Sequence, residues 1–364
     1  MSRYKEPMGI NVLDAARQRI HHIYDIHDTP IVLFSGGKDS QVLLHLTWEV
    51  AQERGLKFVN VVFRHDEFSL KPTIDLIRHY AAMPWVRMHH LCLPHRGVRQ
   101  VFDTQVEFLN WDRTRENLRP LPEYAIRPPD EMFAADYQNE WVNRMEEYQC
   151  QWFVGKVAQM TGVRADESRF RWRGSVNKLI ENYINSPHQY KASSICKPLY
   201  DWKENDILKY LYDNKIPYCR IYDWQLFAKI ELRTSAWLHP EKSRHLKKLR
   251  QIDPEFYDQM LKIFPEQVLH DRYSDERDRA AVVEKYGKSW ETIEAYIREH
   301  YKNESARNIA LHRLYQVWKL SQSERNARLN CYPLDYVLKY FMRGEVRKLL
   351  LPLRKGQKEW KKLL

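Results

Sequence analysis

Apolar residues recur at helical spacing from Asn11 to Tyr24, at Val12, Leu13, Ala16, Ile20 and Ile23, and then the period changes. The run Ile31 to Phe34 is short and continuously apolar, as a buried parallel strand requires, and it ends at a polar turn with paired glycines. Beyond the turn, Val42, Leu43, Leu46 and Val50 return to helical spacing. Lys57 to Phe63 reads as the next strand, Thr73 to Ala82 as the next helix and Val86 to Leu93 as a third strand. The alternation predicts an α/β fold with a doubly wound parallel sheet and a ligand at the carboxyl ends of its strands. From about Val98 to Tyr148 the pattern becomes irregular and rich in Trp, Arg and Pro, an insertion near the site. Strand signals resume at Val157 to Val163 and Ser193 to Leu199, and from Trp202 helices follow almost without interruption. This divides the chain into a nucleotide-binding domain over 1–235 and a mainly helical, basic C-terminal subdomain over 236–364.

The turn itself, Ser35, Gly36, Gly37, Lys38, Asp39 and Ser40, carries the chemistry. Two glycines reach backbone angles closed to other residues and leave peptide N–H groups bare toward a phosphate. Asp39 and Ser40 fall in the first helical turn, where orphan donors and the helix dipole favour an anion. Lys38 adds a mobile charge, and Ser35 and Ser40 offer hydroxyls to phosphate oxygens or to magnesium. The spacing is not that of the common NTPase loop, which excludes the usual motor or GTP-switch reading.

The 364 residues are 43% hydrophobic, enough for a full core, with only 11 glycines. The five cysteines, Cys92, Cys150, Cys196, Cys219 and Cys331, form no Cys-x-x-Cys pair, so neither zinc nor an iron-sulfur cluster has a local signature. They read as reduced thiols of a cytoplasmic protein. No apolar run approaches the ~18 residues of a membrane helix, and no signal-peptide core opens the chain. A net charge of +11 favours an anionic partner, with basic clusters from Lys242 to Arg250 and from Arg343 to Lys362. Solvated helix faces around a basic nucleotide pocket and a nucleic-acid surface both fit this charge.

A second constellation follows the strand at Val157. Gly162, Arg164, Asp166, Glu167, Ser168, Arg169 and Arg171 crowd one strand-end loop, where an arginine fork suits sulfate, phosphate or carboxylate. Solubility alone would also account for such charges. Further on, Asp201 is placed to cap a helix, and Trp202 either fills core or covers a nucleotide, with core preferred.

The loop from Ser35 to Ser40 resembles the PP-loop of the ATP pyrophosphatase superfamily. With Gly162-x-Arg164-x-x-Glu167-Ser168-x-x-Arg171 and Pro198-Leu199-Tyr200-Asp201-Trp202, the chain is similar to the branch resembling phosphoadenosine phosphosulfate (PAPS) reductases. Within it, Asn11 to Ala16, Arg164 to Ser168, Pro198 to Ile207 and Ile221 to Asp223 resemble a prophage-associated family, the co-activator of prophage gene expression type. The resemblance covers roughly residues 10 to 235. It implies that Ser35, Gly36, Gly37, Lys38, Asp39 and Ser40 bind phosphates of ATP or PAPS, and that Arg164 and Arg171 grip an anionic group. Phe63, His65, Asp66, Gly162, Glu167 and Ser168 join them as candidate nucleotide contacts, with magnesium near Asp39 and Ser40.

Two departures redirect the expected reaction. Where sulfonucleotide reductases show Phe-x-Asp-Thr-Gly, this chain reads Phe63-Arg64-His65-Asp66-Glu67, so the acid falls on His65 with Asp66 and Glu67 as substitutes. The reductase cysteine, set between Glu and Gly-x-His, has no counterpart, since Cys331 lies in Leu329-Asn330-Cys331-Tyr332-Pro333. What remains is ATP cleavage between the α- and β-phosphates with adenylation of an anionic or nucleic-acid acceptor, Lys38, Asp39, Arg164 and Arg171 being the catalytic candidates. A sulfonucleotide reductase with a borrowed thiol, or a nucleotide-sensing subunit acting with DNA-associated machinery, are the alternatives.

Overall fold

The apolar run at Ile31 becomes β1 (Thr29–Leu33), and β1 sits inside a six-stranded sheet. The computed structural model describes residues 9–101, 104–135, 138, 141–176, 181–185, 193–227, 232, 237–238, 246–269, 279–301, 303–344, 346 and 350–353. Of the basic clusters expected over 242–250 and 343–362, residues 246–250, 343, 344, 346 and 350–353 are described and the rest lie outside these residues. The chain divides into two units, one of Met1–Arg96 with Leu109–Ala236 and one of Gly97–Phe108 with Trp237–Leu364.

In the first unit, β2 (Val59–Arg64) and β3 (Val86–Leu91) lie on one side of β1. On the other side come β6 (Val157–Met160), β8 (Ser193–Cys196) and the two-residue β7 (Ile184–Asn185). All neighbouring pairs are parallel except β7 with β8. The sheet is thus doubly wound, and its order reverses between β1 and β6. In such sheets the crevice at the carboxyl ends of those two strands is the place for a ligand. Helix α1 (Val12–Ile26) buries Ala16, Ile20 and Ile23, as its spacing requires, and packs on α2 (Lys38–Glu53). Helix α3 (Lys71–Ala81) joins β2 to β3.

Beyond β3 the segment expected to be irregular is more ordered than its composition suggests. β4 (Arg96–Val101) and β5 (Thr104–Leu109) pair in a separate two-stranded sheet, whose residues 97–108 belong to the second unit. A short 3-10 turn at Asp130–Phe133 and helix α4 (Trp141–Cys150) lead back to β6. Their apolar residues, Met132, Met145 and Cys150, cluster with Ile31, Val62 and Val157. The strand expected to reach Val163 stops at Met160, because the chain there turns to bring Gly162 against α2. Helices α5 (Arg169–Val176), α6 (Glu204–Asp213) and α7 (Ile221–Phe227) complete the described part of this unit.

In the second unit, α8 (Leu246–Ile252) and α9 (Pro254–Ile263) precede α10 (Arg279–Tyr286), α11 (Trp290–His300), α12 (Glu304–Ser321), α13 (Glu324–Arg328) and α14 (Leu334–Met342). Ile293 and Ile297 of α11, Val317 of α12, and Val337 and Phe341 of α14 are fully buried in one core. No helix among the described residues is long and apolar enough to cross a membrane.

Candidate functional site

The loop after β1 has a backbone that only one of its glycines makes possible. Gly36 has φ +72°, and a Cβ there would also meet Thr73 Cγ2 at 3.0 Å. Gly37 is extended, at φ −80°, and is the N-cap of α2, so the left-handed freedom expected of both glycines is used by Gly36 alone. The two serines brace the turn. Ser40 Oγ donates to the Gly37 carbonyl at 2.9 Å, and Ser35 Oγ accepts from the Gly37 N–H at 3.3 Å and lies 3.2 Å from Ser40 Oγ. Their hydroxyls, expected at a phosphate or a metal, hold the loop in shape. The first-turn N–H groups of α2 have no intrahelical acceptor by position.

Lys38 is not the mobile charge its sequence context suggested. Its side chain is buried, with Nζ 3.2 Å from Glu204, 3.4 Å from Asp39 and 5.7 Å from the ring centre of Tyr222. Its ammonium also donates to the Leu232 carbonyl, and its backbone N–H donates to the Tyr222 hydroxyl at 2.8 Å. Tyr222 therefore sets a phenolic oxygen on one of the donors a phosphate would use. Burial raises the Tyr222 pKa, so this oxygen is a neutral hydroxyl.

From the other side of the crevice comes Arg164, only 4% exposed. Its Nε donates to Asp39 Oδ1 at 2.5 Å, and its η nitrogens lie 3.9 Å from Glu167 and 4.0 Å from Asp166. Gly162 makes this approach possible, since a Cβ there would lie 2.7 Å from the Asp39 carbonyl carbon and 2.9 Å from the Ser40 nitrogen. Its role is one of spacing between two backbones. Glu167 pairs with Arg171, whose side chain is 44% exposed, and Ser168 Oγ accepts from the Arg171 N–H at 3.2 Å. The structure thus gathers Ser35 to Ser40, Gly162, Arg164, Glu167, Ser168 and Arg171 at one sheet edge, with Arg171 at the rim.

The end of β2 is built differently from its expected role in contacting a nucleotide. Phe63 is buried, and its ring centre lies 5.5 Å from that of His65 and 4.9 Å from that of His90. His65 is 1% exposed, and burial, joined by the charges of His90, Arg119 and Arg78, pushes its pKa down to about 3. Asp66 accepts from the Phe68 N–H at 2.9 Å and so closes a turn. Glu67 is fully buried and accepts from the N–H groups of Trp111 and Leu118 and from both η nitrogens of Arg115. It anchors the segment after β5.

Two residues near the site went unmarked in the sequence. Glu204 holds Lys38, and Arg19 of α1 forms a two-pronged pair with Asp201, both contacts 2.7 Å. Asp201 is therefore an ion-pair partner instead of the expected cap, and Asp206 reaches back to the Lys203 N–H to close the start of α6. Trp202 is 1% exposed and donates to the Val12 carbonyl, which puts it in the core. Helical spacing sets Arg19 seven residues after Val12 and three after Ala16, within the apolar stripe of α1, and that place was its clue.

Chemically, the crevice holds Lys38 and Arg164 against Asp39, Glu204 and Glu167, so an anion entering there would have to displace an internal carboxylate. Asp39 gives its carboxylate oxygens to Arg164 and Lys38, and Ser40 gives its hydroxyl to Gly37, so this pair does not fit a magnesium site in the arrangement seen. All five cysteines are buried, and burial pushes the Cys92, Cys150 and Cys196 thiols up to about 12.

A family model described as the phosphoadenosine phosphosulfate reductase domain matches residues 29–230. The chain is 33% identical over 251 residues to the uncharacterized protein YbdN of Escherichia coli K12, taking in 64% of this chain and 59% of YbdN. It therefore spans less than two thirds of that relative's length. It is 22% identical over 228 residues to an adenosine 5'-phosphosulfate reductase of Oceanobacillus iheyensis, covering 60% of this chain and 77% of that one. Among solved structures, a PAPS reductase of Candida auris in its phosphate complex matches 61% of this chain and 88% of its own, at 14% identity and a TM-score of 0.35.

Proposed function

The chain belongs to the phosphoadenosine phosphosulfate reductase domain family, and from that premise we propose that it binds ATP in the crevice between β1 and β6 and transfers the adenylyl group to an anionic or nucleic-acid acceptor. The observation that carries this reading is Arg164 on Asp39, reached across the Gly162 backbone contact, because it brings a second cation to the phosphate loop from the opposite strand. Phosphates of the nucleotide take the place of the Tyr222 hydroxyl on the Lys38 N–H and of Glu204 on the Lys38 ammonium. Arg164 then faces the reacting phosphate and Arg171 at the rim receives the acceptor. An acceptor oxygen attacks the α-phosphorus, the bond from that phosphorus to the bridging oxygen of the β-phosphate breaks and pyrophosphate leaves with that oxygen; where the acceptor is a hydroxyl, its proton passes to water. Catalysis comes from position and charge neutralisation.

Reduction of a sulfonucleotide by a thiol of this chain, Cys331 included, requires an accessible thiolate, and the burial of all five cysteines argues against it, which leaves only a thiol lent by a partner. A nucleotide-sensing role beside DNA-associated machinery is the second reading, favoured by the Tyr222 contact, which links occupancy of the loop to the position of α7. The likeness of Asn11 to Ala16 and Pro198 to Ile207 to the prophage co-activator type supports such a partner. The two readings part when protein is incubated with magnesium and ATP labelled at the α-phosphate, with sulfate, DNA or tRNA in turn. Labelled AMP or a labelled acceptor supports transfer, whereas tight binding with no product under any condition leaves the sensor.

A further inference from the structure

Away from the phosphate loop, at the carboxyl ends of β2 and β3, three side chains of metal-binding type converge in the interior. His65 Nδ1 lies 3.0 Å from His90 Nε2 and 3.6 Å from Cys92 Sγ, and the three ligand atoms fall within 4.8 Å of one another. The residues are 1%, 4% and 0% exposed. We propose that His65, His90 and Cys92 bind a zinc ion.

The first argument is geometric. Zinc takes nitrogen at about 2.0–2.1 Å and thiolate sulfur at about 2.3 Å in a tetrahedron, so its nitrogen-nitrogen edge is about 3.3 Å and its nitrogen-sulfur edge about 3.6 Å. The distances seen match the second and lie within a few tenths of an ångström of the first, so small side-chain shifts complete the triangle.

The backbone has already fixed the three residues. His65 N–H donates to the Leu91 carbonyl at 2.8 Å, Ile126 N–H donates to the His90 carbonyl at 2.8 Å, and β2 pairs with β3 in register through Phe63 with His90. His90 and Cys92 are two apart along an extended chain, which sends both side chains to the same face. The Trp111 indole donates to the His65 carbonyl at 2.7 Å, and its ring lies edge-on to His65. Tyr124 lies edge-on to His90. A site held this rigidly loses little entropy when the ion enters.

The second argument concerns polarity. Buried polar atoms in proteins nearly always have good partners. The contacts within the trio are one between two imidazoles and one weak thiol contact, poor returns for burying three polar groups. An apolar trio would pack between Phe63, Trp111 and Tyr124 at lower cost, whereas imidazole and thiolate together are the donor set for a borderline-soft divalent ion. Three protein ligands leave the fourth vertex to water or another small ligand. The set is hidden in the sequence because His65 stands 25 residues before His90, outside the close spacings by which zinc sites are read.

The test uses the full chain stripped of metal with a chelator. Zinc is titrated in competition with a chromophoric chelator, and cobalt is then loaded as a spectroscopic substitute. The proposal expects one ion per chain and a thiolate-to-cobalt charge-transfer band. Cys92→Ser should abolish the band, and Cys92→Ser and His90→Ala should each weaken zinc binding at least about tenfold. Cys150→Ser, a buried cysteine outside the trio, should change neither. Should the first two variants fail to fold, the wild-type cobalt spectrum decides alone, since absence of the charge-transfer band removes Cys92 as a ligand. Less than stoichiometric uptake by wild type, or unchanged affinity in folded Cys92→Ser and His90→Ala, overturns the proposal.

Discussion

The Lys38 N–H donates to the Tyr222 hydroxyl at 2.8 Å, so a side chain from α7 occupies a donor at the start of the phosphate-loop helix. On the proposed function, a nucleotide phosphate and Tyr222 compete for that N–H. Replacing Tyr222 with Phe removes the competitor and leaves the N–H unpaired in the free protein, which amounts to about 1 kcal/mol. Calorimetry should therefore show ATP binding about fivefold tighter in Tyr222→Phe. Weaker binding would instead make the hydroxyl a contact to the nucleotide.

Gly162 tests the closeness of the two loops. Gly162→Ala drives a Cβ to within 2.7 Å of the Asp39 backbone, and forcing atoms into such a contact costs about 1–3 kcal/mol. Both thermal stability and ATP affinity should fall. Gly174→Ala, whose added atom meets only the flexible Lys197 Nζ at 3.6 Å, should leave ATP affinity unchanged. Equal effects on binding from the two substitutions would mean that the Gly162 contact does not shape the site.

Glu67 is fully buried and carries four donors, two of them from Arg115. Glu67→Gln leaves the guanidinium without its carboxylate, and breaking a buried pair in this way costs about 3–5 kcal/mol. Urea unfolding should show that loss, and limited proteolysis should cut first between residues 109 and 118. A stability within about 1 kcal/mol of wild type would contradict the anchoring role.

What the sequence disclosed and what it hid divide along separation in the chain. Ile31 to Val50 was legible because strand, turn and helix are contiguous and each has its own period. Gly162 to Arg171 was legible as a charge cluster, but its partner Asp39 lies 125 residues from Arg164 and is fixed only when β6 pairs with β1. The same holds for Asp201, which reads locally as a cap and is taken by Arg19, 182 residues away. Lys38 looked free because nothing near it in sequence announces Glu204 or Tyr222. The short strands β4 and β5 escaped notice because the Trp, Arg and Pro of their flanks mask alternation over six residues.

Acid should destabilise the fold in part through His45. Burial pushes its pKa down to about 4, against the opposing effect of Glu49, and its ring lies against Tyr80, with Nε2 2.9 Å from the phenol, and against Trp85. The unfolded chain takes up a proton near pH 6.5 and the folded one only near 4, so stability is complete above about 6.5 and declines as pH falls toward 4. Allowing for partial exposure, the loss by pH 5 is about 1 kcal/mol. Melting curves of His45→Gln between pH 7.5 and 5 should have a shallower slope than wild type. An equal slope would assign the acid loss to other groups.

A crevice that splits ATP between its α- and β-phosphates releases pyrophosphate, so the leaving group decides the reaction. With magnesium, ATP and an acceptor that supports turnover, wild type should release pyrophosphate, with none from Lys38→Ala or Arg164→Ala. Release of inorganic phosphate with ADP, or full turnover by Lys38→Ala, would contradict it.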